Sequence, residues 1–169
     1  MADVLTHVLV GYVIGTCLTI RYDWMGAEHV TLVMIGALLP DLVKINLVVP
    51  DSVVAGFLGV PFSWSPIHTL GGTVVVILLG SLILAPEHRT RAIILMAIGA
   101  VSHHVLDVAL LTSTGYSYAV FWPLTEYRPP SGDLYLSSDR WPALVAGGVA
   151  VAVWLIRRQM DSRYTPSGK

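Results

Sequence analysis

Apolar residues run along this chain in long blocks, and five blocks approach the roughly 20 residues a bilayer crossing needs. They are Val4–Ile20, His29–Val49, Ile67–Ala85, Arg91–Thr112 and Trp141–Ile156. The first, third and fifth are clean. The second carries Pro40, Asp41, Lys44 and Asn46 in its later half, and the fourth carries His103, His104 and Asp107. Ser52–Pro66 is apolar but too short to cross, and it holds Pro61 and Pro66, so it reads as an interfacial or re-entrant piece. Ser113–Arg140 reads as a long loop with Pro123, Pro129 and Pro130, and loops of that length are often functional. The predicted fold is all-α, a polytopic membrane bundle of about five transmembrane helices with a long loop before the last. Residues 1–157 form one transmembrane domain, followed by a polar tail over 158–169. Met1–Ile20 has no basic residue and carries His7 inside its apolar run, so it reads as a retained helix rather than a signal peptide.

Composition sharpens this picture. Hydrophobic residues make up 54% of the 169, charged residues only 12%, and the mean hydropathy is +0.70. Soluble domains carry about a quarter charged residues, so a disordered chain is excluded and an ordinary cytosolic globule disfavoured. Ten Lys+Arg against eleven Asp+Glu leave no basic excess for phosphates, which argues against a nucleic-acid partner. The single cysteine, Cys17, rules out an intrachain disulfide and a cysteine-based zinc site. With the N-terminus outside, Arg21, Arg89, Arg91, Arg157, Arg158, Arg163 and Lys169 fall inside. Lys44, Arg128 and Arg140 fall outside. Trp24, Trp64, Trp122 and Trp141 lie near predicted span ends, as interfacial aromatics do.

Ionisable groups inside a bilayer are costly and are usually functional or paired, so their depth matters. His7 starts the first span at the outer side. Asp41 follows the Pro40 break in the outer half of the second, and His68 opens the third. At 1.5 Å per residue, His103 lies about 18 Å up from Arg91, past the middle of a roughly 30 Å core. Asp107 is one turn higher. Five groups from four spans thus reach one level near the outer side, while the inner halves offer only hydroxyls such as Thr16, Thr19, Thr73 and Ser81. His103 and Asp107 are spaced i, i+4 and share a helix face; His104 points about 100° away and is not needed as a ligand. Three histidines and two aspartates suit Zn²⁺ best, with Mn²⁺, Ni²⁺ and Fe²⁺ as alternatives.

Plainer readings exist for each residue. A lone histidine at a helix end is commonly interfacial, Asp41 suits an N-cap, and His103 with Asp107 makes a reasonable packing pair. Gly11 and Gly15 at GxxxG spacing, with Gly36, Gly71 and Gly72, read as close-packing sites. That spacing serves contacts within or between chains, so a homo-oligomer is compatible with it. His29 and His88 fall at inner ends, away from the cluster.

At these residues the chain resembles the membrane-bound metal-dependent hydrolases, a family also catalogued as a domain of unknown function. The pieces are Thr6-His7, Gly36 through Pro40-Asp41, Ile67-His68-Thr69-Leu70, Ser102-His103-His104 through Asp107, and Gly115 followed by Phe121-Trp122-Pro123. The resemblance implies metal ligands at His7, Asp41, His68, His103 and Asp107. The His-xxx-Asp pair is also similar to zinc-dependent phospholipase C enzymes, which suggests phosphoester chemistry on a lipid. Val43 and Lys44 stand where that family often carries Asp and His, and Ser63-Trp64-Ser65 where it often carries His-Arg-Gly. The departures leave a one-metal enzyme or a relative without catalysis.

The function expected is an integral membrane, metal-dependent hydrolase facing the outer interface, with membrane lipids as partners and a lipid or phosphoester as substrate. Asp41 and Asp107 are its catalytic carboxylates, with Asp41 the preferred base for a metal-activated water. A noncatalytic scaffold with a structural metal or polar cluster is the main rival. An ion or proton transporter ranks third, because the inner halves lack ionisable groups.

Overall fold

In the computed structural model, which describes residues 3–164, the chain is an all-helical membrane protein. Helix α1 (Val4–Arg21) turns back into α2 (Ala27–Leu38), and α2 is flanked on its other side by α5 (Pro86–Val108). The α2–α5 crossing brings backbone against backbone. A Cβ on Gly36 would overlap the Met96 carbonyl, and one on Gly99 would overlap the Val33 carbonyl. Only glycine permits this approach, which packs without any hydrophobic drive from surrounding lipid. Helix α6 (Trp141–Tyr164) lies against α1 and otherwise faces outward.

Four helical segments are long and apolar enough to cross a membrane among the described residues: α1, Ala27–Leu47, α5 and Trp141–Met160 of α6. The third expected span is shorter than its apolar run. A 3-10 turn at Ser65–His68 precedes α4 (Leu70–Ser81), and the chain leaves helix before Pro86. Pro66 and the Thr69 cap, whose hydroxyl accepts from the Gly72 N–H, fix that late start. Helix α5 starts earlier than its run, with Pro86 at the first helical position where a missing N–H costs nothing. Helix α6 runs past Arg157 to Tyr164. The short helix α3 (Asp51–Leu58) has no buried residue; Trp64 ties the segment after it back, its indole donating to the Val49 carbonyl at 2.9 Å.

The loop 113–140 is fastened by the helix ends it covers. Gly132 donates to the Val108 carbonyl at 2.8 Å and Leu134 to the Ala109 carbonyl at 3.0 Å, satisfying acceptors that α5 leaves open. The Tyr135 phenol donates to the Leu106 carbonyl at 2.7 Å. Burial and the Asp107 charge push that phenol up to about 12, so it keeps its proton. The same loop accepts from the first N–H groups of α4, Leu70 to the Val120 carbonyl and Gly71 to the Trp122 carbonyl.

At the opposite end of the bundle the basic residues rest on rings and carbonyls. The Arg91 guanidinium is 4.9 Å from the Trp24 ring centre, and Arg157 donates to the Thr19 carbonyl at 3.1 Å. Lys169 and the Arg163 side chain, counted in the charge bias, lie outside the described residues.

Candidate metal centre

Pro40 organises the site. Helix α2 passes into a 3-10 segment at Leu39–Leu47, in which each carbonyl seeks the N–H three residues on. Pro40 has no N–H to give the Ala37 carbonyl. That carbonyl instead accepts from His103 Nδ1 at 2.8 Å, and the Pro40 carbonyl accepts from His68 Nδ1 at 3.1 Å. With Nδ1 carrying the proton, each ring turns its Nε2 inward. This is how ligating histidines are usually held, with the second nitrogen tied to a carbonyl or carboxylate.

The structure brings all five expected residues together. His7 comes from the first turns of α1, Asp41 from the 3-10 segment, His68 from the turn before α4, and His103 and Asp107 from α5. His7 and His103 are both 0% exposed, with stacked rings 3.8 Å apart. Asp107 lies among the three imidazoles: Oδ1 is 3.4 Å from His7 Nε2, and Oδ2 is 2.8 Å from His68 Nε2 and 3.6 Å from His103 Nε2. Ligand atoms of His7, His103 and Asp107 lie within 4.8 Å of one another, and so do those of Asp41, His68 and His103. The two triads share His103.

The hydrogen-bond logic asks for a positive charge here. Both nitrogens of His68 face acceptors, the Pro40 carbonyl and the Asp107 carboxylate, and a neutral imidazole donates only once. Either a second proton or a metal ion must lie between that ring and Asp107. A metal ion on the other side of Asp107 would engage His7 Nε2 and His103 Nε2, one nitrogen of each ring. His7 Nδ1 and Nε2, His103 Nε2 and Asp41 Oδ1 are buried without a hydrogen-bond partner, and each such group costs about 1–3 kcal/mol. Zinc ligands at about 2.0–2.1 Å stand roughly 3.4 Å apart around a tetrahedron, close to the 3.4 and 3.6 Å separations seen. The imidazole and carboxylate set therefore fits a divalent transition metal.

Two residues escaped the sequence argument. Lys44, read as an outer charge and as a departure from the resembled family's pattern, donates to Asp41 Oδ2 at 2.7 Å, which leaves Oδ1 buried and without a hydrogen-bond partner. Tyr118, in the loop, bonds His104 Nδ1 at 2.6 Å, and His104 Nε2 lies 3.3 Å from the Thr73 hydroxyl. Burial, with the charges of Asp107 and Asp41, raises the Tyr118 phenol, so it stays protonated and donates. His104 is thus a strut between loop and α4. The i, i+3 spacing of Asp41 and Lys44 was a usable signal on a 3-10 turn; nothing in the sequence pointed to Tyr118.

Over residues 1–164 the chain matches the family described as YdjM inner membrane protein. It belongs to that family. No curated protein and no solved structure matches it. Membership makes the protein an integral membrane protein of an inner-membrane family, in keeping with its four candidate spans. It also corrects the assignment to the membrane-bound metal-dependent hydrolases and the likeness to zinc-dependent phospholipase C. The YdjM match covers the chain to residue 164 and brings no hydrolase or zinc description. The earlier likeness rested on pieces of two to six residues, such as Pro-Asp and Ser-His-His. Pieces that short do not separate one family from another.

Proposed function

We propose that this YdjM-family protein is a membrane-embedded metal-dependent hydrolase with one divalent ion, most suitably Zn²⁺, held by His7, His103 and Asp107. The observation that carries the proposal is the pair of buried, unpartnered nitrogens His7 Nε2 and His103 Nε2, 3.4 and 3.6 Å from the Asp107 carboxylate. An ion there supplies Lewis acidity towards a carbonyl or phosphoryl oxygen and acidifies a water. His68 and Asp41 border the remaining side. Asp41 Oδ1 is free of hydrogen bonds and serves as the base that takes the water's proton, while Lys44 holds Oδ2 and fixes the carboxylate's orientation. The site faces the outer side in this reading, because the described arginines of the spans gather at the other end. An impermeant maleimide should label a cysteine placed at Thr125 in a Cys17→Ser background in intact cells; protection there would reverse the orientation.

The test is turnover of a short-chain ester or phosphoester lipid by zinc-loaded protein. Activity should vanish on chelation, return with metal, and be lost in Asp41→Asn without loss of bound metal. A metal-replete protein that turns over no such lipid would leave the second reading, a structural metal clip. The complete burial of His7 and His103 favours that reading.

A further inference from the structure

One edge of the centre is not closed. A cavity of about 390 Å³ reaches His68, with Thr69, Tyr118, Ala119 and Val43 around it and Pro66 and Trp122 at its rim. A second hollow, about 450 Å³, shares Pro66 and Trp122 and continues along α4 past Gly72, Val75, Val76 and Leu79. Those positions recur at i, i+3, i+4 and i+7, so they form one face of the helix. From Gly71 to Leu79 this face descends about 12 Å, a substantial part of a roughly 30 Å hydrocarbon core. Trp122 and Pro123 of the loop form the facing wall at its upper end, where a Cβ on Gly71 would collide with Pro123. Farther down, Val75 and Leu79 are more than half exposed.

The walls do not solicit a polar ligand. The Thr69 hydroxyl donates to the Pro66 carbonyl at 2.7 Å, the Tyr118 phenol is held by His104, and Ser65 pairs with Ser63 at 3.1 Å. A sugar or nucleotide would find these groups already engaged. A hydrocarbon chain needs none of them, and α4 is an apolar helix whose Val74, Val75, Leu78 and Leu79 are exposed.

We propose that these two adjoining hollows act as one track for the acyl chain of a bilayer lipid, placing the lipid's ester or phosphoester group beside His68 at the metal centre. The inference rests on the hydrolase reading for its second half and names that site's substrate class. The lipid enters sideways, between α4 and the loop segment Ala119–Pro123. The chain lies along α4, and only the headgroup junction meets polar atoms. The loop's hydrogen bonds to Leu70 and Gly71 set the width of the track, since they fix Val120 and Trp122 over the start of α4.

The test is photo-crosslinking of the full, zinc-loaded chain in nanodiscs of phosphatidylethanolamine and phosphatidylglycerol. The probe is a phosphatidylglycerol with a diazirine near the end of one acyl chain. Labelling should saturate and concentrate on the lower part of α4, around Val75, Val76 and Leu79, well above the lipid-facing residues Leu144, Val151 and Leu155 of α6. Val76→Trp, which fills the track, should retain its bound metal and lose roughly tenfold in labelling, the worth of about two buried methylenes. Labelling of α4 no heavier than α6, or unchanged in Val76→Trp, would overturn the track. Hydrolysis of a dibutyryl lipid by the wild type is read in parallel. Turnover without saturable labelling removes the track and keeps the enzyme. Saturable labelling without turnover keeps lipid binding and removes the enzyme.

Discussion

The two ends of the bundle solve the problem of charge in a membrane in opposite ways. At the basic end, Arg91, Arg157 and Arg158 stay at the rim, resting on Trp24, on the Thr19 carbonyl and on Trp154. Long side chains there reach the headgroup region while their stems cover apolar surface. At the other end, five ionisable groups are turned inward and buried against one another, with backbone carbonyls holding two of the rings. The rim arrangement asks nothing of its neighbours. The buried one depends on every member, because removing one partner leaves the others charged or unsatisfied in a low dielectric. The comparison teaches that the basic end meets the membrane rim, while the histidine end gathers its ionisable groups into one buried cluster.

Substitutions should divide along the same line. The largest effect belongs to Asp107→Ala, which leaves three inward imidazoles without their carboxylate. It should cost about 3–5 kcal/mol, seen as a large fall in thermal stability in detergent with loss of bound metal. Pro40→Ala comes next. Its new N–H competes for the carbonyl that holds His103, and such outer contacts are worth about 10–100-fold in metal affinity, measured by competition with a zinc chelator. Tyr118→Phe removes the donor to His104 and should cost roughly 1 kcal/mol, with metal content unchanged. Arg91→Gln at the basic end should cost at most about 1 kcal/mol and leave metal binding as it was. An Arg91 effect as large as that of Asp107 would erase the distinction between the ends.

The sequence carried the convergence but not its details. Helical rise alone put His7, Asp41, His68, His103 and Asp107 at one level, because apolar runs mark where spans begin and ends set depth. The length of α4 was hidden, since 67–85 stays apolar through a 3-10 turn, a helix and a non-helical exit. Hydropathy records solubility in lipid, not hydrogen bonding. The Asp41–Lys44 pair was legible in its i, i+3 spacing, which brings two side chains together on a helical turn. Tyr118 comes from a loop whose path is set by distant hydrogen bonds, such as Ser117 to the Pro129 carbonyl, and such contacts leave no local pattern. The family, too, was misread from motifs too short to discriminate.

The central claim is that the inward cluster is a metal site, and elemental analysis of the purified protein tests it most directly. Wild type should carry about one transition metal per chain, as one shared centre implies, and a folded His103→Ala/Asp107→Ala variant should carry none. Wild type that holds no metal, even after reloading with zinc or manganese, would contradict the account and leave a protonated, hydrogen-bonded cluster in its place.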